Sequence, residues 1–184
     1  MLKRTFVLVL WLGSTLGCAS NSSLGSQILQ GHVGDVDVIV FSSTDCPIAN
    51  ALAPEIERIH KDVQLRGGEL FLVHVWKGRT NTDATAHAKS YGLTMEILID
   101  DDHELVDLFH ATTTPEAVVV SYDAYGKTTI VYQGLINNLF DSPGNKRDEA
   151  TQNFVRDAID AAFAGNSVYP SYRTPTGCFI EQMQ

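Results

Sequence analysis

The amino-acid sequence predicts an α/β domain in which a mixed central sheet is covered by helices on both faces. Between residues 33 and 164, short β-branched apolar runs alternate with segments of helical periodicity in the order β-α-β-α-β-α-β-β-α. Helices that connect the early strands imply parallel strands joined by right-handed crossovers. The last two strands are separated only by a short turn, which indicates an antiparallel hairpin. One sheet is therefore expected to contain both kinds of pairing.

The first strand and helix are the most clearly patterned elements. Asp37 to Ser42 is short, β-branched and apolar, as in a buried strand. From Pro47 onward, apolar residues recur every three or four positions and so share one helix face: Ile48, Leu52, Ile56, Ile59 and Val63. The pair Gly67-Gly68 ends this helix, and Pro54 inside it is expected to kink the axis.

The remaining elements follow the same logic of apolar runs, helical spacing and Gly or Pro breaks. In chain order, the predictions are a strand at Glu69 to Trp76, a helix at Thr82 to Tyr91 ended by Gly92, a strand at Met95 to Ile99, a small helix capped by Asp101-Asp102 and running through His110, a hairpin of Glu116 to Tyr122 and Lys127 to Tyr132, a polar loop at Asn137 to Arg147, an amphipathic helix at Glu149 to Ala164, and a tail over residues 165 to 184.

The N-terminus has the features of an export signal. Lys3 and Arg4 precede an apolar run of only 12 residues, too short for a spanning helix of about 20 residues. Residues 1 to 17 are therefore predicted to be a signal peptide. The following Cys18 sits in a segment that resembles a bacterial lipoprotein cleavage box, which predicts lipidation of Cys18 and anchoring in the cell envelope or periplasm. Ordinary cleavage, with Cys18 left as a thiol, is the alternative. Residues 18 to 32 are small and polar, as in a flexible tether.

The charge and the cysteine content limit the classes of function that the sequence supports. The net charge is −9 without any basic stripe, which argues against nucleic-acid binding. The chain has three cysteines. If Cys18 carries lipid, Cys46 and Cys178 remain as a pair for redox chemistry or for a structural disulfide.

Cys46 lies where the first strand gives way to the first long helix. A thiol at a helix N-terminus is favoured as the thiolate by the helix dipole and the free backbone N–H groups, which makes it a candidate nucleophile. Pro47 fits the first turn, where its missing N–H costs nothing. Asp45 has two opposed expectations: as an N-cap it stabilises the helix, whereas its charge beside the sulfur raises the thiol pKa. An inert, half-buried cysteine remains the alternative.

Several motifs resemble the thioredoxin superfamily. Cys46 and Ala49 stand at the first and last positions of its Cys-x-x-Cys motif, Pro54 matches its helix-kinking proline, and Thr114-Pro115 falls where the family has a cis-proline. The additional helix and strand before Pro115 are similar to the membrane-anchored redoxin branch, which includes TlpA-like and alkyl-hydroperoxide-reductase-like proteins. The resemblance covers residues 33 to 164 and implies a thioredoxin-like fold.

The resemblance also implies roles for individual residues. Cys46 would attack a disulfide, and a cis Pro115 with the backbone of Thr114 would orient the incoming substrate. Ala49 replaces the second motif cysteine, so a dithiol within the motif is excluded. Peroxidase activity has little support, because the peroxiredoxin Pro and Thr positions hold other residues, namely Ile39 and Ser43.

Cys178 is the candidate second thiol. It follows Gly177 in the tail and could resolve a disulfide on Cys46, form a permanent structural bridge with it, or stay free. A disulfide requires Cα atoms within about 7 Å, which the sequence does not determine. A monothiol that forms mixed disulfides and needs an external reductant is a further alternative.

These observations predict an exported thiol–disulfide oxidoreductase or thiol-based reductase. Its expected partners are protein thiols or disulfides or small oxidants, an external electron donor, and the membrane through the lipid anchor, without an organic cofactor. The alternatives are a catalytically inactive binding or assembly module and, less favoured, copper delivery through Cys46 and a histidine. No metal site is predicted, because the histidines lack a ligand-like spacing: His74, His87, His103 and His110.

Overall fold

The computed structural model of the chain describes residues 23–75, 78 and 80–181. The predicted signal peptide and the predicted lipidation site, Cys18, lie outside the described residues. The elements are α1 (Leu24–Ile28), β1 (Val36–Ser42), α2 (Pro47–Leu65), β2 (Leu70–His74), α3 (Asn81–Tyr91), β3 (Glu96–Ile99), α4 (Glu104–Phe109), β4 (Thr113–Thr114), β5 (Glu116–Tyr122), β6 (Thr128–Gly134), β7 (Phe140–Ser142), β8 (Asn145–Lys146), α5 (Phe154–Phe163), β9 (Tyr172–Arg173) and β10 (Cys178–Phe179).

The main sheet is mixed and has six strands in the order β3-β2-β1-β5-β6-β9. Strand β1 is central: Val38 pairs in parallel with Leu70 of β2 and antiparallel with Val119 of β5. Strands β2 and β3 are parallel, and β5 and β6 form the antiparallel hairpin. The predicted mixed sheet, with parallel early strands and a closing antiparallel hairpin, is confirmed.

Helices cover both faces of this sheet, and side-chain alternation along β1 shows how. Val38 and Val40 belong to one core with the apolar stripe of α2 and the inner face of α5. Ile39 and Phe41 belong to the second core, which contains the buried apolar residues of α1 and α4. Because successive strand residues point to opposite faces, a strand buried on both sides is mostly apolar. All seven residues of β1 are buried, and five of them are apolar.

The segment before β1 corrects the predicted tether. Helix α1 lies within residues 18 to 32, and Ile28 is buried in the second core. The backbone N–H groups of Leu24 and Gly25 donate to the carboxylate of Glu104 at 3.1 and 2.8 Å. The hydroxyl of Tyr122 donates to the carbonyl of Ile28 at 3.3 Å. A small, polar composition predicted flexibility, but these long-range contacts hold the helix against the domain.

The start of α4 also differs from the prediction. His103, rather than Asp101 or Asp102, is the residue before the helix, and it makes no side-chain capping bond. The N-terminal amides of α4 are instead satisfied by the fully buried carboxylate of Asp100, which accepts from Leu105 and Val106. The sequence indicated the cap through the acidic residues before the helix, but the loop geometry decides which aspartate reaches the amides.

The C-terminal tail is part of the fold. The domain was predicted to end at residue 164, but β9 extends the main sheet through parallel pairing with β6. Strand β10 pairs antiparallel with β4, and Ile180 is buried in the second core. The predicted polar loop at 137–147 contains the short hairpin β7–β8. Two-residue strands carry no periodicity, so the sequence pattern does not indicate them.

Within the part of the chain that the structure describes, no helix combines the length and apolar character needed to cross a bilayer.

Candidate active site

Cys46 itself caps helix α2. Its backbone is extended (φ −82°, ψ 110°), Pro47 occupies the first turn, and the amide of Ala49 donates to Sγ at 3.5 Å. The predicted N-cap, Asp45, lies one residue before this position and is exposed, so that prediction is wrong. Because the sulfur takes the place of a capping oxygen, it lies at the positive end of the helix dipole.

The thiol of Cys46 is enclosed by the segment before a cis-proline. Its side chain is 1% exposed, and the thiol donates to the carbonyl of Thr114 at 2.9 Å. The Thr114–Pro115 peptide is cis, as the resemblance to the thioredoxin superfamily implied. Strand β4 therefore lies against the N-terminus of α2, and the residue before the proline contacts the sulfur directly.

Cys178 reaches this site on the strand that pairs with β4. In the β10–β4 pair, Cys178 lies opposite Thr114, whose carbonyl accepts from the Cys46 thiol, and each of the two thiols shifts the pKa of the other. The approach is close, because a Cβ on Gly177 would lie 2.0 Å from the carbonyl oxygen of Thr114. Both cysteines are free thiols in the structure. The structure thus brings together two residues that are 132 positions apart.

The two sulfurs differ in exposure. Cys46 is 1% exposed, whereas Cys178 is only partly buried. The next residue, Phe179, is 87% exposed, so β10 lies at the surface. A molecule approaching from solvent therefore meets Cys178 before Cys46.

The two sulfurs also differ in acidity. Burial opposes ionisation of Cys46, but hydrogen bonds from Cys178, from the amide of Ala49 and from Thr114 outweigh it and hold the pKa of Cys46 below its ordinary value. Burial and the adjacent Cys46 raise the pKa of Cys178 to about 11. When Cys46 ionises, it gives up its bond to the Thr114 carbonyl and accepts from these donors instead. One thiolate on Cys46, shared with a protonated Cys178, is the favoured ionised form.

A pair of imidazoles next to α2 was missed by the sequence analysis. The rings of His74 and His87 lie 5.6 Å apart, and Nε2 of His87 is hydrogen-bonded to Asn50 at 2.8 Å, one helical turn beyond Cys46. Burial lowers the pKa of His87, and the charge of Asp45 partly offsets this effect. Asp45 does not contribute to the shift in the pKa of Cys46. No local pattern links these histidines, because only the packing of α3 against β2 and α2 brings them together.

The other two histidines are apart from this site. His103 and His110 flank α4, both in the left-handed conformation, with φ of 57° and 53°. They do not share a helix face. Across the ranges that the structure describes, no group of three or more His, Cys, Asp and Glu side chains is arranged to hold a metal ion.

Comparison with known proteins identifies the fold. No family model matches the chain, and no curated protein matches it. A hypothetical protein from Sinorhizobium meliloti has a similar solved structure, with 21% identity, a TM-score of 0.70, and coverage of 86% of this chain and 84% of that chain. A protein of Chlorobium tepidum assigned as a thiol:disulfide interchange protein DsbE is 15% identical with a TM-score of 0.53, covering 71% and 82% of the two chains.

A thioredoxin-like protein solved in its oxidised form is also similar, at 15% identity and a TM-score of 0.52, with 72% of this chain and 80% of that chain covered. At these identities the likeness concerns the fold. The chain has a thioredoxin-like fold, as the sequence predicted. It carries one cysteine at the helix start and a second on a C-terminal strand.

Proposed function

We propose that this protein is an exported thiol–disulfide oxidoreductase whose reactive pair is Cys46 and Cys178. The observation that carries the proposal is that Thr114, the residue before a cis-proline, pairs with Cys178 and accepts a hydrogen bond from the Cys46 thiol through its carbonyl. The two thiols are therefore neighbours at one strand pair, where a disulfide could join them. The lowered pKa of Cys46 supports reactivity, since the thiolate is the form that exchanges with disulfides.

The second cysteine replaces the one that is missing from the helix. Ala49 lies where the Cys-x-x-Cys motif has its second sulfur, and it contributes only a backbone amide to Cys46. Cys178 supplies that sulfur from β10. Thr114 of β4 contacts both cysteines, since it pairs with Cys178 and its carbonyl accepts from Cys46. The pair therefore functions as a dithiol assembled across the fold.

The proposed partners are protein thiols and disulfides outside the cytoplasm, with an external redox partner that restores the pair. Export and anchoring through a lipid on Cys18 are supported by the N-terminal pattern of Lys3, Arg4 and a short apolar run. Replacing Cys18 by Ala is expected to release the protein from the membrane fraction. Unchanged membrane partitioning of Cys18→Ala would contradict the anchor.

The test of the redox pair uses the full mature chain with Cys18→Ala, so that Cys46 and Cys178 are the remaining cysteines. Treatment with diamide should remove two hydrogen atoms, and peptide mapping should join Cys46 to Cys178. The bond should reopen in a glutathione buffer of moderate potential. Structural disulfides typically have reduction potentials below about −300 mV, so glutathione does not reduce them. Cys46→Ser and Cys178→Ser are the matched variants, and each should abolish the mass change. Absence of the bond in the parent chain would refute the proposal.

A second function is favoured by one observation. Cys46 is 1% exposed, which suits a thioredoxin-fold binding or assembly module whose cysteine is inert or permanently bridged. In that case, the bond would resist glutathione, or Cys46 would ionise only near the pH of an ordinary thiol, about 8.5. The same titration and redox equilibrium therefore separate the two functions.

A further inference from the structure

We infer that Cys178 is the sulfur that exchanges with the partner and that Cys46 is the leaving group, so that the disulfide form oxidises proteins containing two thiols. This inference rests on the proposed function and assigns the roles within it. The sequence had suggested the reverse, with Cys46 attacking and Cys178 resolving. Two properties of the site support the exchanged roles: access to the sulfurs and stabilisation of the leaving sulfur.

Access distinguishes the two sulfurs first. A thiolate can attack a disulfide only at a sulfur that it can reach. Cys46 is 1% exposed because Thr114 and Cys178 cover it. Cys178 is partly exposed on a surface strand beside Phe179, which is 87% exposed. With the bond formed in this geometry, an external thiolate meets Cys178.

Stabilisation of the leaving sulfur gives the same assignment. Attack at Cys178 expels Cys46 as a thiolate, and a thiol of lower pKa leaves faster. The departing sulfur remains at the N-terminus of α2, where the amide of Ala49 already donates to it at 3.5 Å. Attack at Cys46 would instead expel Cys178, whose pKa is raised to about 11. That sulfur would leave more slowly.

The complete reaction consists of two exchanges. A partner thiolate attacks Sγ of Cys178, the Cys46–Cys178 bond breaks with its electron pair on Cys46, and a mixed disulfide joins the partner to Cys178. The second thiolate of the partner then attacks the partner's own bonded sulfur and expels Cys178, which takes up a proton. The partner is oxidised to a disulfide, and this protein's disulfide is reduced to one thiol and one thiolate. The protein's own disulfide is the only oxidant in this sequence.

The favoured direction follows from the same hydrogen bonds. A reduced form in which one thiolate is stabilised makes the corresponding disulfide a stronger oxidant. The donors to Cys46 stabilise the reduced form, because they satisfy a thiolate better than a disulfide sulfur. The substrate class is therefore an exported protein with two reduced cysteines. A monothiol partner would stop at the mixed disulfide, until Cys46 reversed the step.

The test locates the first covalent bond. The Cys18→Ala protein is oxidised with diamide, mixed with glutathione for increasing short times, quenched in acid, alkylated and mapped by mass spectrometry. We expect glutathione on Cys178 and the alkyl group on Cys46, with at least a tenfold excess over the reverse at the earliest times. Glutathione found first on Cys46 would overturn the inference and leave the proposed function standing. If diamide forms no Cys46–Cys178 bond, both fail.

The direction is tested with glutathione buffers. Thr114→Val keeps the backbone but removes the hydroxyl that helps to lower the pKa of Cys46 and that donates to the carbonyl of Cys178 at 3.4 Å. The variant is expected to need a higher proportion of reduced glutathione for half-reduction than the parent, since it loses one donor to the thiolate. An unchanged or opposite shift would show that these hydrogen bonds do not favour the reduced form, and it would overturn the assigned direction.

Discussion

The close contact between Gly177 and Thr114 offers a direct test of how Cys178 is held. In Gly177→Ala, the new Cβ would lie 2.0 Å from the Thr114 carbonyl oxygen and 2.7 Å from its carbon. Contacts below 3.0 Å essentially do not occur, so β10 has to move by about 1 Å or more. The obstacle is backbone, which cannot rotate away as a side chain can. Cys178 is therefore expected to move away from Cys46.

The same displacement has a cost in stability that can be bounded. Ile180 is 7% exposed, and its amide donates to the carbonyl of Thr112 at 2.9 Å. If the strand detaches, the exposure of Ile180 lowers the free energy of unfolding by about 1.5–3 kcal/mol. If the strand only shifts, the loss is smaller. The redox consequence is the same in both cases, because the sulfurs separate.

The assay is the rate of Cys46–Cys178 disulfide formation with diamide, followed by mass spectrometry, together with the urea midpoint. Gly177→Ala should form the bond at least tenfold more slowly, and Cys46 should become accessible to an alkylating reagent. Gly25→Ala is the matched control, since its Cβ would meet side-chain atoms and no backbone: the end of Leu108 at 3.1 Å, Glu104 at 3.4 Å and Ser23 at 3.9 Å. Wild-type rate and midpoint in Gly177→Ala would refute the role given to this contact.

Three further predictions concern the pKa values and the capping interactions. Thr114→Val should raise the pKa of Cys46, which a thiolate titration at 240 nm measures, and an unchanged titration would contradict the assigned hydrogen bond. Burial lowers the pKa of His74 to about 4, so unfolding near pH 5 takes up a proton and stability falls as the pH drops from about 6.5 to about 4. The free energy of unfolding should fall by about 3 kcal/mol over that pH range. In His74→Leu the urea midpoints should lose this pH dependence, and the same pH dependence in both proteins would contradict the role of His74. Asp100→Ala should lower the free energy of unfolding by about 1–3 kcal/mol, because buried amides are left unpaired. The exposed control, Asp102→Ala, should change it by no more than about 0.5 kcal/mol. Equal urea midpoints for the two variants would contradict this difference.

The part of the site that could be predicted from the sequence is local. Cys46 and Pro47 stand at a strand-to-helix junction, and the change from β-branched residues to helical spacing marks that junction without knowledge of the rest of the fold. Thr114-Pro115 is marked in the same way by its place before a hairpin strand. The mixed character of the sheet followed from the alternation of elements, since helices between the early strands imply parallel crossovers and the closing hairpin is antiparallel.

The rest depends on packing across the fold. Cys178 meets Cys46 only because a two-residue strand pairs with another two-residue strand, and neither has a sequence signal of its own. The His74–His87 contact and the Asp100 cap depend likewise on how a loop or helix packs on its neighbour. Such contacts depend on how distant segments pack in the folded chain. The sequence shows that these residues are present, but it does not show which of them meet.

The location of the second cysteine has a chemical consequence. A second sulfur at position 49 would share helix α2 with Cys46, and the two would be held together by the helix alone. Here Ala49 leaves only its amide for the thiolate, and the second sulfur depends on β10 staying paired with Thr114. The strand that supplies Cys178 is also the strand that covers Cys46. Exposure of Cys46 and loss of its redox partner are therefore the same event, which is why disulfide formation should fall in Gly177→Ala while Cys46 alkylation rises.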